Sequence, residues 1–212
     1  SLVEAPPGHG KTTCLRAQIL YDIGKNRELR CLILYDTVDK ALKEVPVLKR
    51  LIDTQKYRAL FPGTRVLYRR DSMENSKRRF TVERANRDSR EPTVEGAGIA
   101  SQINGSGYDR LYVDDPCNPA VVTQPGQREQ IIDIWDNQTE RRLRDPKNSR
   151  IRMICTPWHP DDLAGHIVSQ VRAGQREGWK IAIDTFAVQD DADGNPISKW
   201  PQRYASRAYI HL

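Results

Sequence analysis

The feature that most constrains the fold of this 212-residue chain is the stretch EAPPGHGKTT at residues 4–13. A short apolar run, Leu2–Ala5, leads into it, and apolar residues recur at helical spacing from Lys11 to about Ile23. A strand, a glycine-containing loop and a helix in this order bind anions, because the loop N–H groups and the helix N-terminus both point at the ligand. The stretch therefore predicts a phosphate-binding loop.

The usual form of this loop is glycine, four residues, then Gly-Lys followed by Ser or Thr. Gly10, Lys11 and Thr12 match that form, whereas Ala5 fills the first position. Alanine is acceptable there provided that its φ is negative. We predict that the lysine binds the outer phosphates and that the Thr12 hydroxyl binds Mg²⁺. The predicted nucleotide-binding residues are Ala5, Pro6, Pro7, Gly8, His9, Gly10, Lys11, Thr12 and Thr13. The alternative is a chance Gly-Lys-Thr at the start of a helix.

A second group of residues, Leu-Tyr-Val-Asp-Asp at 111–115, delivers two carboxylates at the end of a short apolar strand. Ligands of open α/β sheets bind at the carboxyl ends of the strands. We predict that Asp114 is the metal partner and that Asp115 polarises an attacking water, which favours hydrolysis over transfer to a small acceptor. The alternative is an ordinary strand end followed by a helix start.

A third group follows the predicted strand Ile151–Cys155, where Thr156 ends the strand at the same edge of the sheet. Its hydroxyl is placed to sense the γ-phosphate. The acidic residues that follow suit a helix N-terminus, and we expect Asp161 to cap a helix that runs to about Ala173. A metal site is the alternative for His159, Asp161, Asp162 and His166, although their spacing does not match the usual zinc patterns.

Strands alternate with helices along the chain, which predicts an α/β domain with a mainly parallel sheet. We assign residues 1–189 to this domain and 190–212 to a linker or tail. Pro46 is expected to kink or break the second helix. The other expected strands are 31–35, 65–68, 79–82, 98–103 and 179–184, and the other expected helices are 41–54 and 128–143.

The chain carries a formal net charge of +6 and has a pI of about 9.2, which favours contact with polyanions. The alternative is a solvated basic surface. The basic residues cluster at Arg69, Arg70, Lys77, Arg78 and Arg79, and again at Arg141, Arg142 and Arg144. No apolar run approaches the ~18–20 residues of a membrane span, and no signal peptide is recognisable, so we expect neither membrane insertion nor secretion.

Taken together, three motifs resemble the ATPase domain of the large terminase subunit of tailed bacteriophages, the DNA-packaging motor. They are, in order, APPGHGKTT, EPTVEGAGIASQINGSGYDRLYVDDP and CTPWHPDDLAGHI. The resemblance implies a P-loop NTPase of the RecA-like, additional-strand (ASCE) type, with a mainly parallel central sheet and flanking helices. It also implies Mg²⁺-dependent ATP hydrolysis that drives double-stranded DNA into a procapsid, in the host cell cytoplasm during virus assembly. The implied partners are a ring of usually five copies, the portal protein and a small terminase subunit.

Carried over to this sequence, the resemblance gives Lys11 and Thr12 the phosphate and Mg²⁺, Asp114 the metal, Asp115 the role of catalytic acid and Thr156 a place in the coupling motif. Many family members carry arginine where this chain has Pro7 and Pro157. The missing charge then has to come from elsewhere, for example from an arginine finger of a neighbouring subunit. The candidates are Arg84, Arg87, Arg90 and Arg110.

The family's adenine-binding segment lies upstream of the loop and its nuclease domain lies downstream, so we expect this sequence to be a piece of a longer protein. Two rival functions remain open at this point: another RecA-like nucleic-acid ATPase, such as a helicase, and a non-catalytic nucleotide-binding assembly module. A small-molecule kinase fits poorly, because it gives no reason for the Trp-His-Pro-Asp-Asp segment at 158–162.

Overall fold

The structure is a computed structural model that describes residues 1–68, 76–86, 91–101, 107–145, 147–184, 187–190 and 196–198. Its strands are β1 (Leu2–Glu4), β2 (Cys31–Tyr35), β3 (Arg79–Phe80), β4 (Val94–Gly98), β5 (Arg110–Asp114), β6 (Arg150–Cys155), β7 (Ile181–Ile183), β8 (Ala187–Asp190) and β9 (Pro196–Ser198). Its α-helices are α1 (Lys11–Lys25), α2 (Val38–Ile52), α3 (Gln55–Leu60), α4 (Pro119–Val122), α5 (Pro125–Ile134) and α6 (Leu163–Arg172).

The order of the strands defines the fold class. Seven strands form one sheet in the order β3-β4-β2-β5-β6-β1-β7, and β8 pairs with β9 separately. Every neighbouring pair in the large sheet is parallel except β3 with β4. Strand β6 lies between β1, which leads into the loop, and β5, which carries the acids. This inserted strand is the additional strand of the RecA-like class, so the predicted fold class is confirmed.

Helices cover both faces of the sheet. On one face α1, α2 and α3 bury an apolar cluster that includes Ile19, Ile33 and Val45. On the other face α5 and α6 pack over a second cluster that includes Leu34 and Trp135. All five residues of β2 are buried, because side chains on both of its faces meet a helix layer. We call the edge where β1, β2, β5 and β6 end the carboxyl edge, and the opposite one the amino edge.

Two predictions in the first half of the chain need correction. Pro46 does not break α2, which is a single helix whose buried side chains hold it on the sheet: Ala41, Val45, Leu48 and Ile52. The strand expected at 98–103 is wrong over its described part, because the strand is Val94–Gly98 and residues 99–101 form a turn, while residues 102 and 103 lie outside the described residues. The sequence of β4 is Val-Glu-Gly-Ala-Gly, and a Cβ at Gly96 would lie 2.6 Å from Cγ2 of Val45. Glycine is therefore used there for close helix packing, which disguises the strand.

A third correction concerns the long helix expected at 128–143. The structure has α5, then a π-helical turn at Trp135–Thr139 and a 3₁₀ turn at Glu140–Arg142. Trp135 is fully buried, and the Thr139 hydroxyl donates to the Ile134 carbonyl at 3.3 Å. The wider turn is the place where the helix accommodates the indole. The strand expected at 65–68 reduces to an isolated bridge between Val66 and Val82.

Candidate nucleotide-binding site

The phosphate loop connects the end of β1 to the start of α1. Gly8 and Gly10 have φ of 77° and 75°, in the left-handed region that favours glycine. Among the described residues Asp115 is the only non-glycine with positive φ, so Ala5 meets the backbone condition set for it. The Cys14 N–H donates to the Gly10 carbonyl at 3.0 Å, which starts the helix directly after the loop.

The Lys11 side chain folds back under the loop. Its Nζ donates to the carbonyls of Ala5 at 2.8 Å and Pro6 at 3.0 Å, and to Oγ1 of Thr156 at 2.9 Å. Burial lowers the pKa of Lys11, and the charge of Asp115 opposes that shift. Three contacts use all three N–H donors of the ammonium group. The lysine is therefore held in place by the loop itself and by the end of β6.

Asp115 faces the same threonine. Its Oδ1 accepts from the Thr156 backbone N–H at 2.6 Å and from the Thr156 hydroxyl at 3.0 Å. Asp115 has φ of 48°, and its own N–H donates to the Ile154 carbonyl at 3.0 Å. A continuous hydrogen-bonded chain therefore runs from Lys11 through the Thr156 hydroxyl to the Asp115 carboxylate. The inserted strand β6 supplies its middle member.

The second acid, Asp114, is buried beside the first turn of α1. Its Oδ1 accepts from the Thr12 hydroxyl at 3.0 Å. Burial raises the pKa of Asp114, while Lys40 and the Thr12 hydrogen bond oppose that shift. Mg²⁺ is usually held by one or two carboxylates together with waters and substrate phosphates. Thr12 and Asp114 fit such a site, and across the described part of the chain no group of three His, Cys, Asp or Glu side chains forms a complete metal cage.

The phosphate loop, Lys11, Thr12, Asp115 and Thr156 line an open cavity of about 410 Å³. The loop and the first turn of α1 form one wall, and Asp115, Thr156 and Trp158 form the other. The cavity therefore brings together backbone N–H groups, an ammonium group and a carboxylate. Such donors can bind phosphate oxygens, and such a carboxylate can accept a proton from an attacking water.

The segment after Thr156 is held by Asp162, not by Asp161 as predicted. Asp162 is the N-cap of α6: its Oδ1 accepts from the Gly165 N–H at 3.0 Å, and its Oδ2 accepts from the N–H groups of Trp158 and His159, each at 3.3 Å. A Cβ on Gly165 would lie 1.8 Å from the Pro160 carbonyl oxygen, so the turn requires glycine.

The suggested metal set does not converge. The acid that closes the turn, Asp162, is occupied as a helix cap, and Nε2 of His166 pairs with Oδ2 of Asp136 at 2.9 Å. His159 lies 3.8 Å from Asp161 at the surface. The four residues therefore cap α6 or pair with nearby side chains, and they do not form a metal site.

Neither arginine candidate that the structure describes lies at the cavity. Arg84 donates to the Glu91 carbonyl at 2.6 Å, next to the amino edge. Arg110 opens β5 at that edge and donates to the carbonyls of Asp109 at 2.8 Å and Asn148 at 3.0 Å. Arg87 and Arg90 are outside the described residues. An arginine acting from a neighbouring subunit stays a prediction.

Sequence reasoning missed Lys40. It lies in the first turn of α2, and its Nζ is 3.3 Å from the Asp114 carbonyl oxygen and 4.0 Å from Asp114 Oδ2. The sequence gives one signal, since Thr37 is a good N-cap for a helix that follows strand 31–35. The pairing of that strand with the acidic strand comes from the strand order. The helix that starts there has its first turn over the carboxyl edge.

The basic clusters are only partly described. Arg79 pairs with Glu95 at 3.2 Å and Arg144 with Asp109 at 3.5 Å, while Arg69 and Arg70 fall outside the described residues. A DNA-contacting surface therefore stays a prediction. In the part of the chain that the structure covers, no helix has the length and apolar character to cross a membrane.

A phosphate loop, an inserted strand and acids at a shared carboxyl edge define a RecA-like P-loop NTPase fold. No protein-family model and no curated protein matches the chain. Several solved structures of similar fold are phage DNA-packaging ATPases. The large terminase ATPase domain of Thermus phage P74-26 is 15% identical, with 74% of this chain and 59% of that chain covered and a TM-score of 0.47.

The large terminase of another thermophilic bacteriophage is 14% identical, with 97% and 45% of the two chains covered and a TM-score of 0.49. The N-terminal domain of the bacteriophage phi29 DNA packaging ATPase is 9% identical, with 86% and 87% covered and a TM-score of 0.46. The chain thus spans about half to three fifths of the two large-terminase structures. The fold class rests on the chain's own strand order.

Proposed function

We propose that this chain hydrolyses ATP with Mg²⁺ and that hydrolysis powers the movement of double-stranded DNA into a viral procapsid. One observation carries the hydrolytic part: the hydrogen-bonded chain from Lys11 through Thr156 to Asp115 stands beside the Thr12–Asp114 pair. This arrangement supports a phosphate-binding cation, a metal site and a proton acceptor around one cavity.

The roles of these side chains follow from their chemistry. Loop N–H groups and Lys11 hold the β- and γ-phosphates, and Thr12 and Asp114 would hold Mg²⁺, which neutralises phosphate charge when it is bound. Asp115 accepts a proton from the attacking water. Thr156 touches both the lysine and the acid, so its hydroxyl is placed to register whether the γ-phosphate is present.

The DNA-packaging part rests on the sequence resemblance, in which three motifs occur in the terminase order. The net charge of +6 is compatible with a polyanionic partner. A pentameric ring on a portal protein, assisted by a small terminase subunit, belongs to the same proposal.

The test is steady-state ATP turnover over a series of protein concentrations, with and without duplex DNA, for the wild type and Asp115→Asn. Turnover should rise faster than linearly with protein concentration if subunits share active sites. Asp115→Asn should lower the rate by about 10²–10⁴-fold, because it removes the proton acceptor. ATP binding, followed with a fluorescent analogue, should survive the substitution.

Asp161→Asn is the matched control, because Asp161 is an exposed acid of the next loop that lies 3.8 Å from His159 and outside the cavity lining. Its turnover should equal that of the wild type. Nucleotide binding without turnover in the wild type would favour the non-catalytic module instead. Turnover stimulated by single-stranded but not duplex nucleic acid would favour a helicase-like ATPase.

A further inference from the structure

Lys40 is a second lysine at the proposed catalytic site, and neither the phosphate-loop motif nor the acidic strand accounts for it. Strand β2 lies beside β5 with Tyr35 paired to Asp114, and α2 starts three residues after β2 ends. The Thr37 hydroxyl caps this helix by accepting from the Lys40 N–H at 3.3 Å. The cap fixes the first turn of α2 over the carboxyl edge, next to the acids.

The position is electrostatically unusual. The N-terminus of a helix carries partial positive charge, so a lysine in the first turn is disfavoured unless an anion compensates for it. Here the ammonium group reaches back across the sheet edge to Asp114, with Nζ 4.0 Å from Oδ2 and 3.3 Å from the backbone carbonyl oxygen. It also lies 5.7 Å from the centre of the Tyr35 ring. These contacts hold the cation at the site.

The two oxygens of Asp114 have different neighbours. Oδ1 accepts from Thr12, on the side where Mg²⁺ would bind, whereas Oδ2 faces Lys40. The Lys40 ammonium group uses one N–H on the Asp114 carbonyl and keeps the other two for a further acceptor. Its side chain is 30% exposed, so a ligand that binds next to Asp114 can reach it. By contrast, all three donors of Lys11 are used.

Another cation near this edge is held closely by a carboxylate, at a shorter distance than the 4.0 Å between Lys40 and Asp114. Arg16, on α1, pairs with Glu44 at 2.6 Å. Pro7 lines the cavity and adds no positive charge to it. The reaction develops negative charge on the transferred phosphoryl group and its bridging oxygen, and that charge needs fixed cations or donors.

We propose that Lys40 is a catalytic residue that donates to the transferred phosphoryl group in cis, from its position beside Asp114. The inference rests on the proposed ATPase function and adds to it the source of a charge that the phosphate loop does not supply. Lys40 leaves the metal side of Asp114 free, because Thr12 and Lys40 approach different oxygens of that carboxylate.

The test compares Lys40→Met with Lys40→Arg and with Lys43→Met as the matched control. Lys43 lies one turn further along α2, is exposed and has no ion pair among the described residues. Two affinities are measured in Mg²⁺ for each protein: that for ADP, and that for ADP with aluminium fluoride, which mimics the phosphoryl group in transfer.

We expect Lys40→Met to bind ADP within about threefold of the wild type but to lose about 10²-fold in affinity for ADP with aluminium fluoride, as for a lost transition-state donor. Lys40→Arg should recover much of that loss, and Lys43→Met should match the wild type. If Lys40 only shields Asp114, removing it leaves aluminium fluoride binding intact and tightens the apparent affinity for Mg²⁺, which overturns the proposal.

The two possible failures are distinguishable. A wild-type protein that binds neither ATP nor ADP with aluminium fluoride refutes the ATPase function, and the role of Lys40 with it. A wild type that binds both, together with a Lys40→Met protein that behaves identically, refutes the role of Lys40 alone. Equal losses for ADP and for the mimic also refute it, because they indicate ground-state binding or misfolding.

Discussion

The two edges of the sheet use charged side chains in opposite ways. At the amino edge two arginines are bonded to groups that belong to the fold: Arg30 pairs with Glu91 at 2.9 Å, and Arg110 donates to two backbone carbonyls. At the carboxyl edge Lys11, Thr156 and Asp115 contact one another around a cavity. The comparison teaches that charge alone does not mark a site: a site is marked by polar groups that can exchange their partners for a ligand.

The largest effect expected from this comparison comes from removing one cation at each edge. Lys11→Ala should lower ATP turnover by about 10³-fold, because it removes the ammonium group that we propose exchanges its present partners for the phosphates. Arg30→Ala should leave turnover within about twofold while lowering stability by about 1–2 kcal/mol, since the Arg30 side chain ties the residue before β2 to Glu91 and lies away from the cavity. Turnover assays and thermal unfolding of both variants are the measurements. Equal losses of turnover would show that the edges do not differ as described.

The next effect tests the middle of the hydrogen-bonded chain. Thr156→Val keeps the side-chain shape but removes the hydroxyl that joins Lys11 to Asp115, so single-turnover hydrolysis should slow by about 10²-fold with ATP affinity nearly unchanged. Thr156→Ser should restore most of the rate. Thr123→Val, at an exposed threonine whose hydroxyl bonds the Ala120 carbonyl, is the control. A normal rate in Thr156→Val would remove Thr156 from the mechanism.

The third effect concerns stability at the carboxyl edge. Gly165→Ala forces a Cβ to within 1.8 Å of the Pro160 carbonyl oxygen and should destabilise the fold by about 2–3 kcal/mol. Gly126→Ala is the matched control in α5, where a Cβ meets nothing within 4 Å, and it should stabilise by about 0.5–1 kcal/mol. Chemical denaturation of both proteins measures the difference. If Gly165→Ala is as stable as the wild type, the loop after Thr156 is not held as tightly as its contacts indicate.

The smallest effect is a pH dependence at Glu4, the last residue of β1. Burial raises the pKa of Glu4, with Asp162 adding to the shift and Arg172 opposing it. The folded state therefore binds the proton more tightly than the unfolded state. The resulting stability is present below the ordinary pKa of about 4.3 and is lost as the pH rises through the folded pKa.

Glu4→Gln keeps the shape and removes the buried charge, so its Tm should exceed that of the wild type by about 1–3 °C at pH 8 and by nothing near pH 4. Glu129→Gln, at an exposed residue of α5, should show no such pH-dependent gain. A lower Tm for Glu4→Gln at pH 8 would mean that the charged form of Glu4 is stabilised in the fold.

The sequence predicted two parts of the fold: the strands that are covered by helices on both faces, and the loop turn that needs glycine. Strands 31–35 and 111–113 are continuous apolar runs because helices cover both of their faces. Gly8 and Gly10 of the loop adopt the left-handed backbone conformation that glycine favours, so their presence in the sequence indicated the turn. Convergence of Asp114, Asp115 and Thr156 then follows from parallel strands ending together. Two of them are in direct contact, since the Thr156 hydroxyl donates to Asp115 Oδ1 at 3.0 Å.

What the sequence did not predict depends on packing between distant segments. Strand β4 was misplaced because Gly96 and Gly98 are selected for the approach of α2 and the turn after the strand, which no local pattern reveals. The π-helical turn begins at Trp135, a fully buried side chain, and no local sequence pattern indicates such a turn. Lys40 belongs to the site only because β2 is the neighbour of β5, and that depends on strand order.

The backbone conformation of Asp115 limits which residues can replace it. With φ of 48°, this position suits glycine, asparagine and aspartate, whose small or locally hydrogen-bonding side chains tolerate the left-handed region. Of these three, only aspartate can accept a proton from water. A change to glutamate would keep the carboxylate but would strain the backbone and displace the acid from Thr156. With the proposed role of Asp115 as proton acceptor, backbone geometry and chemistry together leave a single residue type for this position.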